Sequence, residues 1–170
     1  GDYVDRGSHS SEVLLILYCY KVLCPSQIYL IRGNHEFESM NDGYGFKSEC
    51  ESRNVLGTFF YEKITQTYAF LPLCAIINKK IFCVHGGISN FLESKDGLQK
   101  VRKVGKMLNS FNLIQTDFLW NDPQDGIENF APSSRGIGSV FGKKALFEFR
   151  DKIECDVLIR GHQNQMDGYA

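Results

Sequence analysis

The sequence has 170 residues, the size of one domain or of part of one. Lys and Arg total 19 and Asp and Glu total 20, so the formal charge is −1, which argues against a strongly basic nucleic-acid-binding protein. Hydrophobic residues make up 43% and charged residues 23%, which excludes a disordered chain and predicts a buried core. The longest apolar run, Val13–Tyr20, is too short to span a membrane, and no signal-peptide pattern opens the chain.

The first half of the chain alternates β-like and helical patterns. Tyr3–Val4 resembles the end of a strand. Apolar residues spaced by three and four then predict a helix over Ser10–Leu23. Gln27–Ile31 alternates polar and apolar residues and predicts a short buried strand. Phe46–Thr65 is predicted to be helical, with a break near Asn54.

The second half continues the alternation. Leu73–Asn78 and Lys80–Val84 are joined by a tight turn and predict a β-hairpin. Four more segments predict, in order, a helix, a long surface loop, a helix and a strand: Leu98–Leu108, Asn121–Gly138, Lys143–Phe149 and Asp156–Ile159. Strands that alternate with helices predict an α/β or α+β protein with mixed sheets.

Four glycine-containing polar loops hold three of the four histidines of the chain. Three of these loops follow predicted strands, and the fourth contains the strand-like Tyr3–Val4. The loops are residues 1–7 (GDYVDRG), 32–36 (RGNHE), 85–87 (HGG) and 160–163 (RGHQ). Ligands of such folds bind at the carboxyl ends of strands. If the strands are neighbours, the loops bring together four candidate metal ligands: Asp2, Asn34, His85 and His162.

This ligand set contains carboxylate, carboxamide and imidazole groups but no thiolate. Such a mixture suits Mn²⁺, Fe²⁺ or Zn²⁺ with coordination positions left open for water. Asp2 can bridge two metals, as carboxylates do in two-metal phosphatases and nucleases. Each loop taken singly is also compatible with an ordinary surface turn, so the prediction depends on the four loops together.

Three further side chains suit phosphate chemistry. Arg6 and Arg135 can each hold phosphate oxygens in the fork of a guanidinium group. Neighbouring side chains of an extended loop point to opposite sides, so His35 need not face the metal when Asn34 does. His35 is then free to donate a proton to a leaving alkoxide, with Asp5 orienting its ring.

The four loops closely resemble the signatures of the phosphoprotein phosphatase family of metal-dependent serine/threonine phosphatases, with the type 1 and type 2A catalytic subunits as the nearest match. Residues between the loops agree as well, among them 44–46 (YGF), 70–73 (FLPL), 119–123 (LWNDP) and 134–136 (SRG). Order and spacing agree along essentially all 170 residues.

The resemblance implies a calcineurin-like metallophosphoesterase fold, an α/β (α+β) β-sandwich of mixed sheets flanked by helices. It implies that Asp2 bridges two metals and that Asn34, His85 and His162 complete the second metal site. It implies that His35 is the general acid, paired with Asp5. The phosphate-binding residues that it implies are Arg6, Arg135 and Asn34, and the residues expected at the rim of the substrate groove are Tyr44, Trp120 and Asp122.

Two departures from the family pattern concern the ends of the sequence. The family motif Gly-Asp-x-His-Gly, which supplies the Asp and His ligands of the first metal, would precede Gly1 and is missing from this chain. Family catalytic domains also continue beyond the region of Tyr169. Residues 1–170 are therefore expected to form a partial catalytic domain, truncated at both ends.

The expected activity is hydrolysis of phosphoserine and phosphothreonine in proteins, with phosphoproteins as substrates and regulatory subunits as partners, and without nucleic acid or membrane. Two alternatives remain open at this stage: a nucleotide-directed metallophosphoesterase, and a catalytically impaired fragment that acts as a binding module. Six scattered cysteines form no C-x-x-C pair, which predicts reduced thiols and an intracellular, cytoplasmic or nuclear, location.

Overall fold

The computed structural model describes residues 1–53, 55–102 and 112–169. The chain divides into two compact units, Gly1–Leu71 and Pro72–Ala170. The described α-helices are α1 Ser10–Leu23, α2 Glu38–Tyr44, α3 Phe46–Glu51, α4 Val55–Thr67, α5 Gly97–Arg102, α6 Leu113–Trp120 and α7 Lys143–Ile153. The described strands are β1 Cys74–Ile77, β2 Ile81–Val84, β3 Asp122–Pro123, β4 Phe130–Pro132, β5 Ser139–Phe141 and β6 Val157–Ile159.

Helices α1 to α4 and a short 3-10 helix over Tyr68–Phe70 build the first unit. The amino end of α1 is closed by a side chain that is distant in sequence. The carboxylate of Glu49 accepts hydrogen bonds from the backbone N–H groups of Ser10 and Ser11, both at 3.0 Å. These groups have no partner within the helix, so Glu49 replaces a local cap. The buried core comprises Val4, Leu14, Phe46, Cys50, Tyr61, Ile64 and Tyr68.

The sequence predicted the helices of this unit better than its strands. The helix over Ser10–Leu23 is confirmed, and the break in the next helical region lies between α3 and α4, although Asn54 itself is outside the described residues. The strands predicted at Tyr3–Val4 and Gln27–Ile31 are wrong, because no described segment pairs with either of them. Side chains hold these segments instead, for example the Tyr3 hydroxyl that donates to the carbonyl of Ile31 at 2.9 Å.

The second unit contains the predicted hairpin. Strand β2 pairs antiparallel with β1 and parallel with β6, which gives a mixed sheet of order β1-β2-β6. Asn78 and Lys79 both adopt positive φ, at 51° and 57°, as the central residues of a type I′ turn do, and the backbone N–H of Lys80 donates to the carbonyl of Ile77 at 3.0 Å. The strand predicted over Asp156–Ile159 is confirmed as β6.

A second mixed sheet, of order β3-β5-β4, corrects the prediction of a long loop over Asn121–Gly138. Its strands have only two or three residues, which is too few for an alternating pattern to be visible in the sequence. Helix α6 was not predicted. The helix predicted over Leu98–Leu108 is described as far as Arg102, and the rest of it lies outside the described residues.

Both sheets contribute to a single core in the second unit. Phe82 of β2 and Phe141 of β5 are each 1% exposed and belong to the same buried cluster, with Phe118 of α6 and Phe149 of α7. The mixed α/β class predicted from the sequence is confirmed. Within the described ranges, no helix has the length and apolar character needed to cross a bilayer.

Candidate metal-binding and phosphate-binding residues

Glu36 joins the two glycine-containing loops of the first unit. Its carboxylate accepts hydrogen bonds from the backbone N–H groups of Asp2 at 2.8 Å, Tyr3 at 2.7 Å and Gly33 at 2.7 Å. The side chain is fully buried. Burial, and then the charge of Glu36, raises the pKa of Tyr3 to about 12, so its hydroxyl stays protonated as a donor. Two of these bonds fix loop 1–7 against loop 32–36, and the third closes loop 32–36 on itself.

Glycine is required where these two loops meet. A Cβ on Gly33 would overlap the backbone nitrogen and Oδ1 of Asp2, and a Cβ on Gly1 would overlap the backbone of Gly33. The close approach allows the backbone N–H of His35 to donate to Oδ1 of Asp2 at 3.1 Å. The carboxylate of Asp2 is thus oriented by the loop that contains Asn34, which is itself buried.

His35 and Asp5 form a buried pair. Nδ1 of His35 lies 2.6 Å from Oδ2 of Asp5, and the two side chains are 3% and 0% exposed. A carboxylate only accepts hydrogen bonds, so Nδ1 carries the hydrogen, and Nε2 is the nitrogen left for proton exchange. The other oxygen of Asp5 accepts from the backbone N–H of Phe46 at 3.0 Å. The contact expected between Asp5 and His35 is therefore present in the structure.

Tyr44 lies beside both His35 and Arg6. Its ring meets the imidazole of His35 edge to face with the centroids 4.9 Å apart, and the guanidinium carbon of Arg6 is 5.0 Å from its centroid. The backbone N–H of Arg6 donates to the carbonyl of Tyr44 at 3.0 Å. Arg6 is exposed, so the aromatic ring supports a guanidinium group that an anion can reach.

In the second unit, two histidines follow neighbouring parallel strands. His85 comes directly after β2 and His162 shortly after β6, and Nε2 of His85 lies 3.2 Å from Nδ1 of His162. The backbone N–H of Gly161 donates to the carbonyl of His85 at 3.0 Å, which ties the two loops together. Two nitrogens that are each about 2.0–2.1 Å from one cation lie roughly 2.8–3.4 Å apart at octahedral to tetrahedral angles. The observed spacing suits two ligands of a single metal ion.

Asp122 holds two arginines. It is 5% exposed, and its carboxylate accepts from Nε of Arg135 at 2.7 Å and from Nη2 of Arg160 at 2.6 Å. Arg160 also donates to the carbonyl of Gly86 at 2.5 Å. Burial lowers the pKa of Arg160, and the nearby carboxylate of Asp122 partly opposes this shift. The expected rim residue is therefore a buried anchor, whereas the side chain of Arg135 is 37% exposed.

Several candidate residues have strained backbones. Among the described residues other than glycine, those with positive φ include Asp2 at 58°, Asp5 at 76°, Arg6 at 61° and His162 at 66°. Such conformations cost on the order of 1–3 kcal/mol each and persist only where the surroundings enforce them. Their concentration in the predicted loops supports a functional role for these loops.

The predicted residues are distributed over both units. The first unit contains Asp2, Asp5, Arg6, Asn34, His35 and Tyr44, and the second contains His85, Trp120, Asp122, Arg135 and His162. Within the units, the structure brings together His35 with Asp5, His85 with His162, and Asp122 with Arg135. Trp120 packs edge to face on His162 with the centroids 5.7 Å apart.

Sequence reasoning gave no role to three residues that organise these pairs, namely the buried Glu36 and Asn41 and the partly buried Arg160. Glu36 and Arg160 lie inside the glycine-containing loops, and Arg160, a charged residue that directly follows the apolar Val157–Ile159, could have drawn attention. Asn41 gives no such signal, because its importance depends on contacts with residues distant in sequence.

Comparisons with known proteins identify the family. The profile of the calcineurin-like phosphoesterase family matches residues 1–166. Over 99% of its length the chain is 34% identical to the serine/threonine-protein phosphatase PP1-delta of Caenorhabditis elegans, of which it covers 54%. A solved structure of a protein serine/threonine phosphatase from Saccharomyces cerevisiae with similarity to human phosphatase PP5 matches 98% of the chain with a TM-score of 0.85 and 32% identity.

The chain covers 51% of that solved structure, so it spans about half the length of both relatives. The family resemblance inferred from the four loops is confirmed. The chain belongs to the calcineurin-like phosphoesterase family.

Proposed function

We propose that the protein hydrolyses phosphoserine and phosphothreonine in other proteins, as a metal-dependent phosphatase. The observation that carries this proposal is the buried His35–Asp5 pair, with Nδ1 and Oδ2 2.6 Å apart, in a chain of the phosphoesterase family. A serine alkoxide is a poor leaving group, so its departure benefits from a positioned general acid. The names of both relatives support a protein substrate.

The metal ligands in this proposal are Asp2, Asn34, His85 and His162. The donors fit a divalent cation, because imidazole, carboxylate and amide groups suit Mn²⁺, Fe²⁺ or Zn²⁺, and because the His85 and His162 nitrogens have the spacing of neighbouring ligands. When bound, divalent cations of such sites supply a nucleophilic water and neutralise phosphate charge.

The other residues bind and protonate the substrate in this proposal. Arg6 and Arg135 hold phosphate oxygens through their guanidinium forks, with Asn34 as a further donor. His35 donates a proton from Nε2 to the departing serine or threonine oxygen. Asp5 keeps the opposite nitrogen, Nδ1, protonated and fixes the ring, as the 2.6 Å contact supports. Tyr44 and Trp120 line the substrate groove.

Regulatory subunits are the proposed partners, as the family resemblance implies. An intracellular location, cytoplasmic or nuclear, is supported by the six scattered cysteines, which form no C-x-x-C pair.

A substrate panel tests the proposal. The full-length protein, purified and supplied with Mn²⁺, is compared on a phosphoserine peptide, a phosphothreonine peptide, and mononucleotide and dinucleotide phosphates, with and without a chelator. We expect turnover of the peptides that the chelator abolishes. Faster turnover of nucleotides would indicate a nucleotide-directed phosphoesterase. Phosphopeptide binding without turnover would indicate a binding module, and either result would overturn the proposal.

A further inference from the structure

Asn41 contacts both members of the His35–Asp5 pair. It lies on α2, it is fully buried, and its Nδ2 donates to Oδ2 of Asp5 at 3.1 Å and to the backbone carbonyl of His35 at 2.8 Å. One amide group thus binds the carboxylate and the main chain of the histidine that this carboxylate orients. Its contacts hold the two ends of the Asp5–His35 hydrogen bond in a fixed relation.

Tyr68 determines which way the Asn41 amide points. The hydroxyl of Tyr68 donates to Oδ1 of Asn41 at 3.1 Å. Burial raises the pKa of Tyr68, so the phenol remains protonated and acts as a donor. Since Oδ1 faces this donor, Nδ2 must face Asp5. The opposite orientation would place an amide oxygen against a carboxylate oxygen and leave a buried repulsion.

Within the described part of the chain, three donors bind the carboxylate of Asp5. Oδ2 accepts hydrogen bonds from Nδ1 of His35 and Nδ2 of Asn41, and Oδ1 accepts one from the backbone N–H of Phe46. Of these donors, only Asn41 also binds the backbone of His35. Without Asn41, the carboxylate could rotate about its bond to Cβ and release the imidazole from its orientation.

We propose that Asn41 is a positioning residue for the general acid, set by Tyr68, and that it acts on the reaction through the His35–Asp5 pair. The inference rests on the proposed phosphatase function. It predicts that loss of Asn41 impairs leaving-group protonation more than it impairs substrate binding or the fold.

Leaving-group dependence tests this role. We expect Asn41→Leu, which is similar in volume but has no hydrogen-bonding group, to lower kcat on a phosphoserine peptide by roughly 10–100-fold. Hydrolysis of p-nitrophenyl phosphate should fall by less than about 3-fold, because nitrophenolate leaves with little need for protonation. Tyr68→Phe should also lower kcat on the phosphoserine peptide more than on p-nitrophenyl phosphate, but by a smaller factor. This second variant still tests the proposal if Asn41→Leu does not fold. Equal losses on both substrates would overturn the proposal.

A matched control and a double mutant separate positioning from general damage. Thr65 is buried in the same unit, and its hydroxyl donates to the carbonyl of Glu62, so Thr65→Val should leave the ratio of the two rates unchanged. In a His35→Gln background, Asn41→Leu should cause no further loss on the phosphoserine peptide. Additive losses would show that Asn41 does not act through His35.

A measurement without turnover distinguishes this proposal from the proposed function. In the metal-free protein, the Nδ1–H proton of His35, bonded to a buried carboxylate, should give a downfield NMR signal. We expect that signal to shift or disappear in Asn41→Leu and in Tyr68→Phe. If the signal is unchanged, the positioning role is wrong, even if the protein is a phosphatase. If the wild-type protein turns over no phosphopeptide, the proposed function fails, and the NMR result still decides the role of Asn41.

Discussion

Nε of Arg135 donates to Oδ2 of Asp122 at 2.7 Å, so a buried carboxylate orients an arginine whose side chain is partly exposed. We expect Asp122→Asn to raise KM for a phosphoserine peptide, because Arg135 would lose the carboxylate that orients it. The rise should be limited to roughly tenfold, or about 1.4 kcal/mol, because solvent screens part of this ion pair. The matched control is Asp125→Asn, an exposed residue of the same segment. Steady-state kinetics check the result, and equal KM values for the two variants would contradict it.

His35→Gln removes the proposed proton donor. We expect kcat on a phosphoserine peptide to fall by roughly 10²–10⁴, the usual contribution of a general acid, while metal content is retained. His9→Gln is the control, because that side chain is largely exposed near the start of α1. Kinetics and elemental analysis are measured on the same preparations. Wild-type turnover by the His35 variant would exclude this residue as the acid.

Asp2→Asn tests the proposed bridging ligand. An amide binds divalent cations more weakly than a carboxylate, so we expect a lower metal content after dialysis. Asp42→Asn is the control, since Asp42 is exposed and forms a surface ion pair with Lys47. Elemental analysis measures the metal bound per chain. Equal occupancy in both variants would argue against ligation by Asp2.

Glu49 should make stability sensitive to acid. Partial burial raises the pKa of Glu49, but hydrogen bonds from Ser11 and Ser10 outweigh burial, and the net pKa lies below the ordinary 4.5. The native state therefore favours the ionised form. Its contribution to stability is fully present above about pH 4.5 and is lost as the pH falls through the lower native value.

Urea unfolding at several pH values checks this linkage. Relative to wild type, Glu49→Gln should be destabilised near neutral pH, and the difference should shrink on acidification. Glu51→Gln, which alters an exposed residue of the same helix, should show no such trend. A constant difference between wild type and Glu49→Gln across the pH range would contradict the assignment.

Phe149 and Phe147 lie on the same helix with opposite exposure. Phe149 is 3% exposed and packs on Phe82 with the ring centroids 5.4 Å apart, whereas Phe147 is 47% exposed. We expect Phe149→Ala to lower the free energy of unfolding by about 3–5 kcal/mol and Phe147→Ala by less than about 1 kcal/mol. Denaturant titration measures both, and similar losses would show that the core assignment is wrong.

Local signals made much of the fold predictable. The spacing of apolar residues gave the limits of α1, and the tight turn at Asn78 and Lys79 gave the hairpin. The short strands β3, β4 and β5 could not be predicted, because two or three residues carry no period and their pairing is set by partners distant in sequence. Conversely, Gln27–Ile31 has an alternating pattern but no pairing strand among the described residues.

The candidate site residues show the same contrast between features visible locally in the sequence and contacts that depend on distant residues. Histidines and glycines at strand ends mark a site by composition alone, and this made His85 and His162 recognisable. The supporting contacts were invisible, since Asn41 reaches Asp5 across 36 positions and Arg160 reaches Asp122 across 38. Candidate ligands and the candidate acid, with its partner Asp5, could be proposed from sequence, but the contacts of Asn41 and Arg160 that hold these residues require coordinates.

The parallel pairing of β2 with β6 sets Cys83 opposite Ile159, and both strands end at the same edge. Side chains alternate between the two faces of a sheet, so a one-residue slip of β6 would turn its following loop and carry the imidazole of His162 away from that of His85. If His85 and His162 bind a metal ion as proposed, metal affinity would therefore report correct strand alignment. A misfolded species with shifted pairing would then bind the cation weakly, although both histidines are present in its sequence.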